Sequence, residues 1–145
     1  MKQLITLTIC LFTFIGITKA DNDKPISVNE LPQKAQQFIK QNFAGSEISF
    51  AKLEKDLLDK KYEVIFVNGN KIEFDKNGNW KEVDCKHTAV PEAIIPEQIK
   101  TVIAKQYPQA KVLKIDKDSR GYEVKLNNKL ELKFNSTFQL VDIDD

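Results

Sequence analysis

The chain has 145 residues, 41% hydrophobic and 30% charged, with 5 Gly and 5 Pro, a composition that supports one hydrophobic core and gives no basis for disorder. Its 22 basic and 21 acidic side chains leave a formal charge of +1, with no basic run along the chain. A nucleic-acid binder carries a positive surplus or stripe, so that class of partner is set aside.

The first 20 residues read as an export signal. Lys2 supplies the short positive start, and the uncharged, mostly apolar stretch from Leu4 to Ile17 has the roughly 14-residue length of a signal core. Thr18-Lys19-Ala20 places a small residue before Asp21. A membrane anchor would need about 20 apolar residues. A lipoprotein signal at Cys10 is disfavoured by bulky Ile9 before it and by the apolar run continuing beyond. The expected mature chain is 21–145, periplasmic or secreted, with no membrane span. Cleavage removes Lys2, Lys19 and Cys10, leaving 20 basic against 21 acidic residues and Cys85 as the one thiol. No internal disulfide is then available. An unpaired thiol could dimerise or react, but Cys85 in a strand serves more simply as a small hydrophobe.

The mature part compares well with itself. Leu31-Pro32 opens a segment with apolar residues at Leu31, Ala35, Phe38, Ile39 and Phe43. Ile95-Pro96 opens another with Ile99, Val102, Ile103 and Tyr107 at the same intervals. Each is the stripe of a three-turn amphipathic helix, stopped by Gly45 or Pro108. Four short strands are expected after the first helix, near Ile48–Glu54, Lys61–Val67, Lys71–Asp75 and Trp80–Cys85. Asn68-Gly69 and Asn77-Gly78 mark tight hairpins between them, and such short connections make neighbouring strands antiparallel.

The second helix is followed by matching signals. Tyr122-Glu123-Val124 repeats Tyr62-Glu63-Val64, Lys129-Leu130-Glu131-Leu132 repeats Lys71-Ile72-Glu73-Phe74, and Phe138 matches Trp80. The fold class expected is α+β, a tandem repeat of a helix followed by a four-stranded meander. The copies span about 26–86 and 90–145 and share one core. Tyr62, Val64 and Phe66, with Tyr122, Val124 and Leu126, face the helices. Ile65 and Val67 face the other way. Trp80 and Phe138 are assigned to that helix-free face as well, although a β-bulge would reverse them.

Candidate chemistry is sparse. His87 is the only histidine, and with Cys85 and Asp84 it falls short of the four converging ligands of a zinc site. Proximity of Cys85 and His87 in sequence does not make a catalytic dyad. Asp75-Lys76-Asn77-Gly78-Asn79 has some calcium-loop character, but the glycine is misplaced and a distal acidic ligand is missing. The matching turn of the second copy is expected to carry Lys133 where Asp75 stands. Turn chemistry explains the segment more simply, so neither a metal nor a cofactor is expected. Glu63 and Glu73 lie among lysines as solvated cross-strand pairs. Trp80 either packs the sheet or anchors a partner on an exposed face, where aromatics carry much of the binding energy.

The run Tyr62-Glu63-Val64-x-Phe66-x-Asn68-Gly69, then Glu73-Phe74-Asp75, Gly78-Asn79-Trp80 and Val83-Asp84-Cys85, resembles the PepSY-like, beta-lactamase-inhibitor-like periplasmic proteins of Bacteroidetes. The resemblance covers the mature chain. It implies one antiparallel sheet with the helices on one side. The second copy has Ser136-Thr137-Phe138 in place of Gly-Asn-Trp, so only its framework is implied. Fold likeness to an inhibitor is not evidence of inhibition. The expected role is non-enzymatic: binding a protein or peptide partner through the helix-free face, at Trp80, Ile65, Val67 and Phe138. The alternative is a periplasmic carrier of a small ligand or metal.

Overall fold

The structure is a computed structural model that describes residues 22–145. The expected export signal lies outside them. Nine strands form one antiparallel sheet whose spatial order is the chain order, β1 to β9. Strand β1 (Asp23–Ile26) precedes helix α1 (Gln33–Asn42), which is followed by β2 (Ile48–Lys55), β3 (Lys60–Phe66), β4 (Lys71–Asp75) and β5 (Trp80–Asp84). Helix α2 (Glu97–Gln106) then leads into β6 (Val112–Asp118), β7 (Gly121–Leu126), β8 (Glu131–Asn135) and β9 (Leu140–Asp144). A single turn of 3-10 helix precedes each α-helix, at Val28–Glu30 and Glu92–Ile94. Pro32 and Pro96 stand at the two N-caps, where a missing N–H leaves nothing unsatisfied.

The alternation of the strands decides the two faces. Cross-strand register lines up Ala51, Val64, Ile72, Val83, Ile115, Val124 and Leu132 in one row, all buried. Leu31, Ala35, Ile39 and Phe43 from α1, and Ile95, Ile99 and Ile103 from α2, join the same core. Phe43 stacks on Phe66 and Phe38 meets Phe74 edge-on, with ring centroids 5.2 and 5.7 Å apart. Such pairs add to the area they bury by about 0.5–1.5 kcal/mol each. One row over, every side chain is charged and no described helix covers it.

Two features depart from the sequence reading. Strand β1 was not expected: it is four residues long, contains Pro25 and lacks alternation, yet it pairs with β2 at the sheet edge, the place where proline is tolerated. The register also moves the correspondence between the two runs of strands. Val64 faces Ile72 and Val124 faces Leu132, so the position matching Ile72 is Leu132 and that matching Asp75 is Asn135, not Lys133.

Candidate functional site

The helix-free face is a ladder of charge. Lys52, Glu63, Glu73, Glu82, Asp116, Glu123, Lys133 and Asp142 occupy successive strands from β2 to β9, each opposite the next. Five neighbouring carboxyl groups thus run across the middle of the sheet. Like charges directly opposite one another are unfavourable, and lysines on the adjoining strand positions offset this. Lys71 Nζ lies 3.4, 3.5 and 3.7 Å from carboxylate oxygens of Glu82, Glu73 and Glu63. Lys114 lies 3.6 Å from Glu82 and 3.5 Å from Asp116. Lys52 bridges Asp23, Glu54 and Glu63.

Compensation is incomplete at one point. Burial pushes the Asp116 carboxyl up to about 6; Lys114 opposes the rise and the Glu82 carboxylate opposite adds to it. Burial also works against ionisation of Glu82, but a hydrogen bond from Asp116 and the ammonium groups of Lys114 and Lys71 hold it below its ordinary value. Of the two, Asp116 therefore takes up a proton first as pH falls, directed toward the Glu82 carboxylate, the usual outcome when two carboxyl groups share a site. Both line a shallow depression of about 590 Å³ with Glu73, Lys81, Lys133 and Asn135.

The four residues expected to form a partner-binding patch are divided between the faces. Ile65 is half-buried on the helix-free face, paired with Phe50 of β2 and Lys71 of β4. Val67 follows β3 and is 63% exposed, while Phe50 is 47% exposed; these three make the apolar margin of the charged face. Trp80 and Phe138 lie on the opposite, helix-bearing face, which corrects their expected orientation. A bulge between Glu73 and Phe74 sets Trp80 opposite Phe74, and its ring stacks on Phe38 of α1 at 6.3 Å. Phe138 sits in the β8–β9 turn with φ +63° and stacks on Tyr122 at 5.3 Å. Phe50 was missed because its alternation is broken by a second bulge, between Ile48 and Phe50.

The Asp75 turn is self-contained. One carboxylate oxygen accepts hydrogen bonds from the backbone N–H groups of Asn77 and Asn79, and the other from the Asn79 side-chain amide. Asn135 plays the same part toward Thr137 and Gln139. Cys85 is fully buried, and burial pushes its thiol up to about 11. Among the described residues no group of three or more His, Cys, Asp or Glu is placed to hold a metal ion. No described helix is long and apolar enough to cross a membrane.

Among the described residues, two helices over one open, nine-stranded antiparallel sheet thereby define an α+β protein, and the comparisons with known proteins agree. Residues 60–142 match the family model described as "Putative beta-lactamase-inhibitor-like, PepSY-like", and the chain belongs to this PepSY-like family. A solved structure from Bacteroides thetaiotaomicron, described as a "putative calcium-regulated periplasmic protein", is 62% identical with a TM-score of 0.84, over 85% of this chain and 97% of that one. A solved structure from Bacteroides vulgatus, described as a "putative periplasmic protein" of the DUF2874 family, is 55% identical with a TM-score of 0.85, over 87% and 99% of the two chains. A second from Bacteroides vulgatus, of unknown function, is 34% identical with a TM-score of 0.81, over 85% and 99%. Among functionally curated proteins none matches. The protein is periplasmic, as these relatives are described.

Proposed function

We propose that the protein is a non-catalytic periplasmic binding module whose contact surface for a protein or peptide partner is the helix-free sheet face. The observation behind the proposal is that this face, uncovered by any described helix, sets the apolar margin of Phe50, Ile65 and Val67 beside the paired charges of Lys52, Glu63 and Lys71. Apolar residues supply binding energy and a polar surround supplies register and specificity. The anchors are therefore Phe50, Ile65 and Val67, without Trp80 and Phe138. The two runs of one helix and four strands read as a duplicated unit, with β1 added at the edge, and the apolar segment Leu4 to Ile17 supports delivery by an export signal. Pull-down from envelope extract with wild type and the Phe50→Ser/Val67→Ser double variant tests the face. A partner held by wild type and lost by the variant is expected; an identical catch by both refutes the assignment.

A second reading is a response to calcium, the property in the description of the relative that is 62% identical. The carboxylates it would use within this chain are Glu82 and Asp116, which line one depression with Glu73 but, among the described residues, do not make a group of three placed to hold a metal ion. The Asp75 turn is a poorer seat, because its carboxylate is already engaged. Calorimetric titration at neutral pH separates the two: heat and a thermal shift with calcium, both diminished in Asp116→Asn, support the reading. Absence of both removes it.

A further inference from the structure

Five lysines on the helix-free face, Lys52, Lys61, Lys71, Lys114 and Lys133, each lie within 4.0 Å of at least two carboxylates. On the helix-bearing side the pattern is different. Lys117 of β6 is half-buried, and its ammonium lies 4.0 Å from the centroid of the Trp80 ring. Phe38 stacks on the same indole, so the ring is held by α1 and by Lys117 together. Lys34, in the first turn of α1, donates to the side-chain oxygen of Asn79, the residue before Trp80. Lys81 follows Trp80 and, with Lys117, reaches the rim of the depression described above. Among the described residues, none of Lys34, Lys81 and Lys117 has a carboxylate within 4.0 Å.

We propose that Lys34, Lys81 and Lys117, arranged around Trp80, form a binding site for a single oxyanion, a phosphate or a carboxylate. The three lysines gather around Trp80 and Asn79 with Asp75 as the carboxylate that faces them, an excess of positive charge that suits an oxyanion, since ammonium–oxyanion hydrogen bonds are the strong, charge-assisted kind. Trp80 is a positioning residue: its π-face holds the Lys117 ammonium in place. Asn79 does the same for Lys34. The crowding is consistent with a Lys117 ammonium held below its ordinary value, first by burial and then by Lys81 and Lys34, with only Asp75 opposing. Asp75, held by its own turn, is one carboxylate facing three cations, so it offsets only part of their charge. The site is separate from the apolar margin and stands or falls independently of the proposed partner face.

Trp80 is the only tryptophan in the chain, so its fluorescence reports on the site directly. The full mature chain is titrated at fixed ionic strength with inorganic phosphate and, separately, with a triglutamate peptide, using matched chloride as reference; calorimetry gives a readout that does not depend on the indole. A saturable signal with either probe is expected, weakened about tenfold in Lys117→Gln and in Lys34→Gln, as loss of one charge-assisted contact implies. Lys105→Gln, on exposed α2, should leave it unchanged. Response to phosphate alone assigns a free phosphate group, response to the peptide alone assigns an acidic chain, and response to both supports the shared chemistry. The proposal is overturned if neither probe saturates beyond chloride, or if Lys105→Gln weakens binding as much as Lys117→Gln.

Discussion

Glu82 on β5 stands directly opposite Asp116 on β6, so two carboxyl groups meet at the seam that joins the first five strands to the last four. Burial raises the Asp116 carboxyl, so the pairing of these two groups depends on a proton. A carboxyl whose folded-state pKa lies above its unfolded value binds its proton more tightly when folded. The stability it contributes is full below its ordinary value of 3.8 and is lost as pH rises through about 6. Asp116→Asn keeps a donor toward Glu82 at every pH. The variant should be more stable than wild type at pH 8 by about 1 kcal/mol, with the difference closing toward pH 4. Urea midpoints measured across this range check the sign.

Lys71 is the common partner of three carboxylates, including Glu63, which is only 8% exposed. Removing one partner of such a network leaves charge without compensation, which costs more than the pair itself contributes. Lys71→Met should destabilise by about 1–3 kcal/mol. Because the residual repulsion among Glu63, Glu73 and Glu82 is screened by salt, the deficit should shrink in high salt. A deficit independent of salt would mean that lost packing, not charge, is responsible.

Gly121 opens β7 with φ +146°, and a β-carbon there would meet the Phe134 carbonyl oxygen at 2.0 Å and backbone carbon of Asn135 at 2.6 Å. The neighbouring strand cannot yield without losing its pairing. Gly121→Ala should cost at least about 3 kcal/mol, read as a fall in thermal midpoint. Gly45→Ala is the control, since nothing lies within 4 Å of its added carbon.

Cys85 should be inert. Its thiol is fully buried and raised to about 11 by that burial, with Asp84 contributing and Thr88 opposing. Only the thiolate is reactive, so labelling by a disulfide reagent at pH 8 should proceed at the rate of unfolding and rise steeply with urea. Fast, complete labelling in native buffer would contradict the burial.

Most of the framework was legible because it rests on periodicity. The stripe Ala35, Phe38, Ile39, Phe43 and its partner Ile99, Val102, Ile103, Tyr107 each lie along the helix they predict or close its end. Strand β4 was placed at Lys71–Asp75, as observed. What was not legible depends on one-residue events. A bulge turns a side chain to the other face without changing composition, and this moved Trp80 onto Phe38 and hid Phe50. Phe138 was misplaced for a related reason: it occupies a turn at positive φ, beyond the reach of strand alternation. The carboxyl row was invisible because each member is an ordinary strand Glu or Asp, and only the register brings the five into line.

The chain-order sheet has a mechanical consequence. Each strand is hydrogen-bonded only to its sequence neighbours, so the outermost strands β1 and β9 lie at opposite ends of the row. Tension applied between them loads one ladder rung after another, not many rungs at once. Such a sheet opens like a zip from either margin, strand by strand, and closes again largely through hairpin contacts between consecutive strands, the exceptions being β1 on β2 and β5 on β6, which a helix separates in sequence. Resistance should be concentrated where the helices bind several strands together, through Phe38 on Phe74 and Trp80 and through Phe43 on Phe66. Those aromatic clasps, and not the hydrogen bonds of the sheet, would set how far the chain extends before it gives way.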